Sequence, residues 1–236
     1  MTITTENELK EVFHGIYRTN YPLESISQIN ALNEKFESHA ESKEVNFSCE
    51  SLISLIYSKN GLPEKSLEID LKLLADTPPD HFEYNLILGT AVRNSAALDR
   101  TDEVVPYAKN YLKISKDDFY GKLPVLAWYV TFYPNGENGS FEEFEPVLSG
   151  IVTQMGAKIN KSDSFMDRVN YLYLEFKRAC KDLDLYGRSY VAATIEQGEK
   201  LLKDYLATEP LSFYHNIAKL YREDRLNPPN PGRQQE

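Results

Sequence analysis

The chain has 236 residues, of which 42% are hydrophobic and 26% charged. That is enough for one large domain or a short solenoid with a real core. The formal net charge of −10 is the wrong sign for gripping phosphate backbones, so nucleic-acid binding is not expected. The acidity either suits a basic partner or simply keeps the protein in solution. The 11 glycines are few for a many-turned all-β fold.

Read in order, the chain is a series of amphipathic helices. Thr5-Glu6-Asn7-Glu8 reads as a capping box, followed by Leu9, Val12, Phe13, Ile16 and Tyr17 at helical spacing. Tyr21-Pro22 restarts the chain. Leu23, Ile26, Ile29, Leu32 (or Asn33) and Phe36 form a second stripe. A third helix is predicted over 47–59, stopped by Asn60-Gly61, whose residues tolerate the left-handed conformation. Pro63 opens a fourth helix with Leu67, Leu71 and Leu74 on its buried side, and Thr77-Pro78-Pro79 closes it.

Further helices are predicted over 82–94, 102–115, 123–132 and 140–155. Residues 125–132 are rich in β-formers but have helical neighbours and are assigned to a helix. Ser164 caps a helix carrying Val169, Leu172, Phe176 and Ala179, with Gly187 read as its end. Helices over 190–206 and 211–222 complete the series. The tail over 227–236, with three prolines and otherwise polar or small residues, is expected to be disordered. The fold class is therefore all-α, with about ten helices stacked as antiparallel hairpins. An N-terminal pair over 1–44 is expected to pack on a repeat domain over 45–226.

Helices in pairs at a period slightly above 30 residues suggest a repeat. Over 47–80 the first helix carries a large–small pair, Ile53-Ser54, then Tyr57. Gly61 provides the turn, Ser66 is the small residue of the second helix, and Pro78 closes the segment. Leu88-Gly89 with Val92, and Leu126-Ala127 with Val130, repeat the pair. Gly198, Leu202, Tyr205 and Pro210 look like another second helix. The segment 45–210 thus resembles the tetratricopeptide-repeat family. The resemblance implies a non-enzymatic scaffold that binds a protein or peptide in a concave groove lined by the first helix of each hairpin. Carried over residue by residue, Ser51, Leu55, Ser58 and Lys59 face that groove, then Leu86, Thr90, Arg93 and Asn94, then Pro124, Trp128, Thr131 and Phe132. Lys59, Arg93 and Asn94 can hold a carboxylate or the backbone carbonyls of an extended peptide. Trp128, the single tryptophan, is either an interface anchor or a core residue between hairpins.

A second candidate surface is acidic. Residues 137–157 carry four glutamates, among them Glu142, Glu143 and Glu145, and no lysine or arginine. They form either a mobile flap meeting a basic partner, as in an inhibitor or immunity-type protein, or a solvated helix start whose acids complement the dipole.

No cofactor, metal site or catalytic motif is expected. His14, His39, His81 and His215 include no i, i+3 or i, i+4 pair, and no phosphate-binding glycine loop or nucleophile elbow occurs. His14, beside Phe13, reads as half-buried and structural. Cys49 and Cys180 read as core or near-core thiols. An enzyme with a dispersed site remains the third possibility. Residues 1–10 lack the features of a secretory signal, and no apolar run approaches the roughly 20 residues of a membrane span, so a cytoplasmic protein without membrane contact is expected.

Overall fold

A computed structural model describes residues 3–39, 42–81, 83–114, 118–133 and 141–227; side chains are described from residue 7. Within these residues the chain is all-helical, with eleven α-helices and no strand. They are α1 (Ile3–Arg18), α2 (Ser25–Phe36), α3 (Ser42–Lys59), α4 (Pro63–Asp76), α5 (Tyr84–Ala97), α6 (Val105–Lys113), α7 (Phe119–Phe132), α8 (Glu145–Met155), α9 (Phe165–Ala192), α10 (Ile195–Thr208) and α11 (Ser212–Leu226). The predicted tail from 228 onward, and the loop over 134–140, lie outside the described residues. No helix among the described residues is long and apolar enough to cross a membrane.

Helices form two compact units, Met1–Lys116 and Asp117–Glu236. In the first, α3 packs on α4 and α4 on α5 more extensively than any other pair, with α2 on α3 and α1 on α2. The turn from α3 to α4 is local chemistry. Gly61 takes φ +71°, and the Leu62 N–H reaches back to the Tyr57 carbonyl at 3.0 Å, the Schellman closure that satisfies an orphan carbonyl. Pro63 then supplies a preset φ at the start of α4. The core beneath α1–α3 contains Leu9, Ile16, Ile29, Leu32, Phe36, Val45, Cys49 and Ile56. Burial pushes the Cys49 thiol up to about 11, as suits a core thiol. His14 is exposed, not half-buried as its place beside Phe13 suggests: it falls one residue off the stripe through Leu9, Phe13 and Ile16.

In the second unit α7 is buried nearly all round, so residues 125–132 are helical as assigned. The 28-residue α9 touches α7, α8, α10 and α11. Several predicted boundaries move; the third helix, for one, starts at Ser42 and not at residue 47. The first helix starts at Ile3, so Thr5 lies within it and not at its cap. Gly187 does not end a helix: α9 runs through it to Ala192. A Cβ at Gly187 would lie 3.2 Å from the Tyr221 ring, so this glycine permits the close approach of α11. The real break is Thr194, whose hydroxyl accepts from the Gln197 N–H while the Gln197 side chain accepts from the Thr194 N–H.

Candidate functional site

The site begins with an anomaly on α4. Its buried residues are Ser66, Leu67, Asp70, Leu73 and Leu74. At about 3.6 residues per turn, Asp70 lies in the middle of that arc, where an aliphatic side chain is normal. Asp70 is 1% exposed. Leu71, expected on the buried side, is only half-buried, and Leu73 takes its place.

The carboxyl is held by a chain of hydrogen bonds linking α3, α4 and α5. Ser54 Oγ donates to Asp70 Oδ1 at 2.5 Å. Ser66 Oγ lies 2.8 Å from Ser54 Oγ. When Ser54 donates to an ionised Asp70, Ser66 supplies the proton between the two hydroxyls. Asn94 Nδ2 donates to Ser66 Oγ at 2.7 Å, and Ser58 Oγ donates to Asn94 Oδ1 at 3.0 Å. Ser54 and Ser66, read above as the small members of the repeat, therefore do meet at the α3–α4 crossing, and their hydroxyls carry the polar chain. Gly89 behaves differently. It is exposed, and a Cβ there would meet nothing within 4 Å, so no close crossing requires it.

Burial raises the Asp70 carboxyl from the ordinary 3.8 to about 7; the bond from Ser54, the nearby Asn94 amide and the charge of Arg93 pull the other way without cancelling it. Its second oxygen, Oδ2, is buried and has no hydrogen-bond partner.

Asp70 lines a cavity of about 170 Å³ together with Phe13, Ser48, Ser51, Leu52, Leu55, Glu83, Leu86, Ile87 and Thr90. Two further lining residues carry buried oxygens without partners, Ser51 Oγ and Glu83 Oε2. Burial also raises the Glu83 carboxyl, opposed by the charge of His81. Ser48 and Glu83 also line a larger neighbouring cavity of about 520 Å³ between the start of α3 and the end of α4. The Lys72–Glu50 ion pair at 2.8 Å and the Phe47–His81 ring contact at 4.9 Å lie along its wall.

Of the groove residues named from sequence, Ser51, Leu55, Leu86 and Thr90 come together in the smaller cavity. Lys59 and Arg93 are exposed. Asn94 points inward and is occupied by Ser58 and Ser66. Trp128 is in the second unit, 9% exposed, with its ring 5.6 Å from that of Phe132 and its N–H unpaired. Glu142 and Glu143 are exposed in a short 3₁₀ turn. Glu145 is gripped by both terminal nitrogens of Arg168, one at 3.1 Å. Sequence reasoning missed Asp70 and Glu83. For Asp70 a signal existed: it stands one turn from both Leu67 and Leu74. Among the described residues no group of three or more His, Cys, Asp and Glu is placed to hold a metal ion.

Compared with known proteins, the chain matches no family model, no curated protein and no solved structure at a significant level.

Proposed function

We propose that this chain is a cytoplasmic, non-catalytic protein-binding module, and that the face built by α3 and α5 receives an extended segment of a protein partner. On this reading α3/α4 and α5/α6 are two tetratricopeptide-like hairpins whose first helices share one side, with the α1/α2 pair beside them. The observation that carries it is the cavity wall. Ser51 and Leu55 from α3, and Leu86 and Thr90 from α5, are the residues that the repeat register assigns to a groove, and they line one concave site. Leu86 is 63% exposed, an apolar side chain free to be covered by a partner. Exposed Lys59 and Arg93 flank the same helices and suit the polar rim of such a face. The acidic stretch carries less of the case, because Glu145 is already committed to Arg168.

The test uses Leu86→Asp and Arg93→Glu, both at exposed positions where substitution costs the fold little. Each is expected to abolish co-purification of the partner while leaving the far-UV circular dichroism and the thermal midpoint unchanged. A partner retained by both folded variants would overturn the reading.

A further inference from the structure

The polar atoms of the small cavity have an unusual common property. Ser51 Oγ, Asp70 Oδ2 and Glu83 Oε2 belong to three lining residues, each is shut off from solvent, and none has a hydrogen-bond partner. A buried oxygen left unpaired costs free energy that a donor recovers. Carboxylate oxygens only accept, and a serine hydroxyl accepts as well as donates. The rest of the lining is largely aliphatic or aromatic: Phe13, Leu52, Leu55, Leu86 and Ile87. An apolar sleeve with acceptors along it is the complement of an alkylammonium, whose stem packs on carbon and whose head has three N–H donors.

We propose that this cavity takes the side chain of a lysine presented by the partner segment, with its ammonium donating to Asp70 and Glu83. This rests on the partner-binding reading and specifies what the partner must carry. The acidity of the site reverses the ligand polarity that Lys59, Arg93 and Asn94 suggest from sequence: the exposed cations stand at the rim, and the recess wants a cation. Inside the recess the ammonium meets acceptors already stripped of water, so pairing strengthens where hydration cannot compete.

Protonation of Asp70 competes with the ligand. The charged groups that face it are Arg93 on α5, whose charge favours the ionised form, and Glu83, which shares the cavity; α3 offers no charge, only the hydroxyls of Ser48, Ser51 and Ser54. With the carboxyl near 7, it is about nine-tenths ionised at pH 8 and about one-tenth at pH 6, which weakens ammonium binding roughly tenfold.

The experiment titrates Nα-acetyl-lysine N-methylamide, and the uncharged Nα-acetyl-norleucine N-methylamide, into the full chain with methyl-labelled leucine and isoleucine. At pH 8 the lysine compound should give saturable shifts at Leu55, Leu86 and Ile87, with norleucine at least tenfold weaker. Lysine affinity should fall about tenfold from pH 8 to pH 6. Asp70→Asn should erase the preference for lysine, and Glu83→Gln, at a less buried position, should reduce it severalfold and serves if Asp70→Asn does not fold. Equal binding of norleucine, or lysine binding unchanged in the folded variants, would overturn the proposal. If the lysine compound fails to bind while Leu86→Asp still abolishes partner capture, the lysine proposal falls and the binding face stands. If the lysine compound binds but Leu86→Asp and Arg93→Glu leave the partner in place, the binding face falls.

Discussion

Replacing Asp70 by asparagine should change how the stability of the first unit depends on pH. The folded chain holds the Asp70 proton up to about 7, against 3.8 for an ordinary aspartate. The folded state therefore binds this proton more tightly than the unfolded state does. The resulting stability is complete below about pH 4, declines as pH rises toward 7, and is gone above it. The slope is about 1.4 kcal/mol per pH unit, and the whole span is worth about 4 kcal/mol. Asparagine keeps the shape and an acceptor for Ser54 but does not titrate. The stability difference, Asp70→Asn minus wild type, should thus rise by about 2 kcal/mol between pH 5 and pH 7 and level off above about pH 8. Its absolute offset includes a cost of about 1–3 kcal/mol if the new amide finds no acceptor, so the slope is the diagnostic quantity. Urea unfolding followed by the methyl resonances of Ile56, Leu67 and Leu88, all fully buried in the first unit, measures it. Parallel profiles for the two proteins from pH 5 to pH 8 would refute the reasoning.

Other positions give sharp outcomes in the second unit. Gly156 has φ +63°, and a Cβ there would fall 1.9 Å from Ser212 Oγ; Gly156→Ala should cost about 1–3 kcal/mol from strain and overpacking, read by the fluorescence of Trp128 in urea. Thr194→Ala removes the capping box of α10 and should cost about 1 kcal/mol in the same assay, with faster amide exchange in the first turn of α10. The Glu209 side chain is 1% exposed and Arg178 35% exposed, so breaking their pair is asymmetric. Arg178→Met leaves a buried carboxylate without its cation, held only by the Leu211 N–H, and should cost about 3 kcal/mol, whereas Glu209→Met leaves a cation that water, Glu175 and Asp182 still serve; equal losses in urea unfolding would contradict this.

Much of the fold is legible where one residue type has one local job. Gly61 must adopt positive φ and Pro63 can only start a helix, so the α3–α4 hairpin is readable without tertiary knowledge. Gly187 misleads because its purpose is tertiary: it makes room for Tyr221. The true break at Thr194 has a local signature, the Thr-x-x-Gln box, masked by that more conspicuous glycine. The site divides in the same way. Ser51, Leu55, Leu86 and Thr90 follow from the register that the tetratricopeptide resemblance implies. Asp70 does not, because a carboxylate on an apolar stripe becomes intelligible only once Ser54, Ser66 and Asn94 from three helices surround it. Asn94 is the converse case, since the register that sets it beside the groove does not reveal that its amide is spent inside.

On the proposed reading the face of α3 and α5 meets the partner. This is tested most directly by placing a photo-crosslinking amino acid at Leu86, and in a separate protein at Glu143, and mapping the adducts after irradiation in native lysate. One partner should crosslink from Leu86, through a segment containing a lysine, and none from Glu143. Adducts formed from Glu143 alone would contradict it and move the interface to the acidic surface.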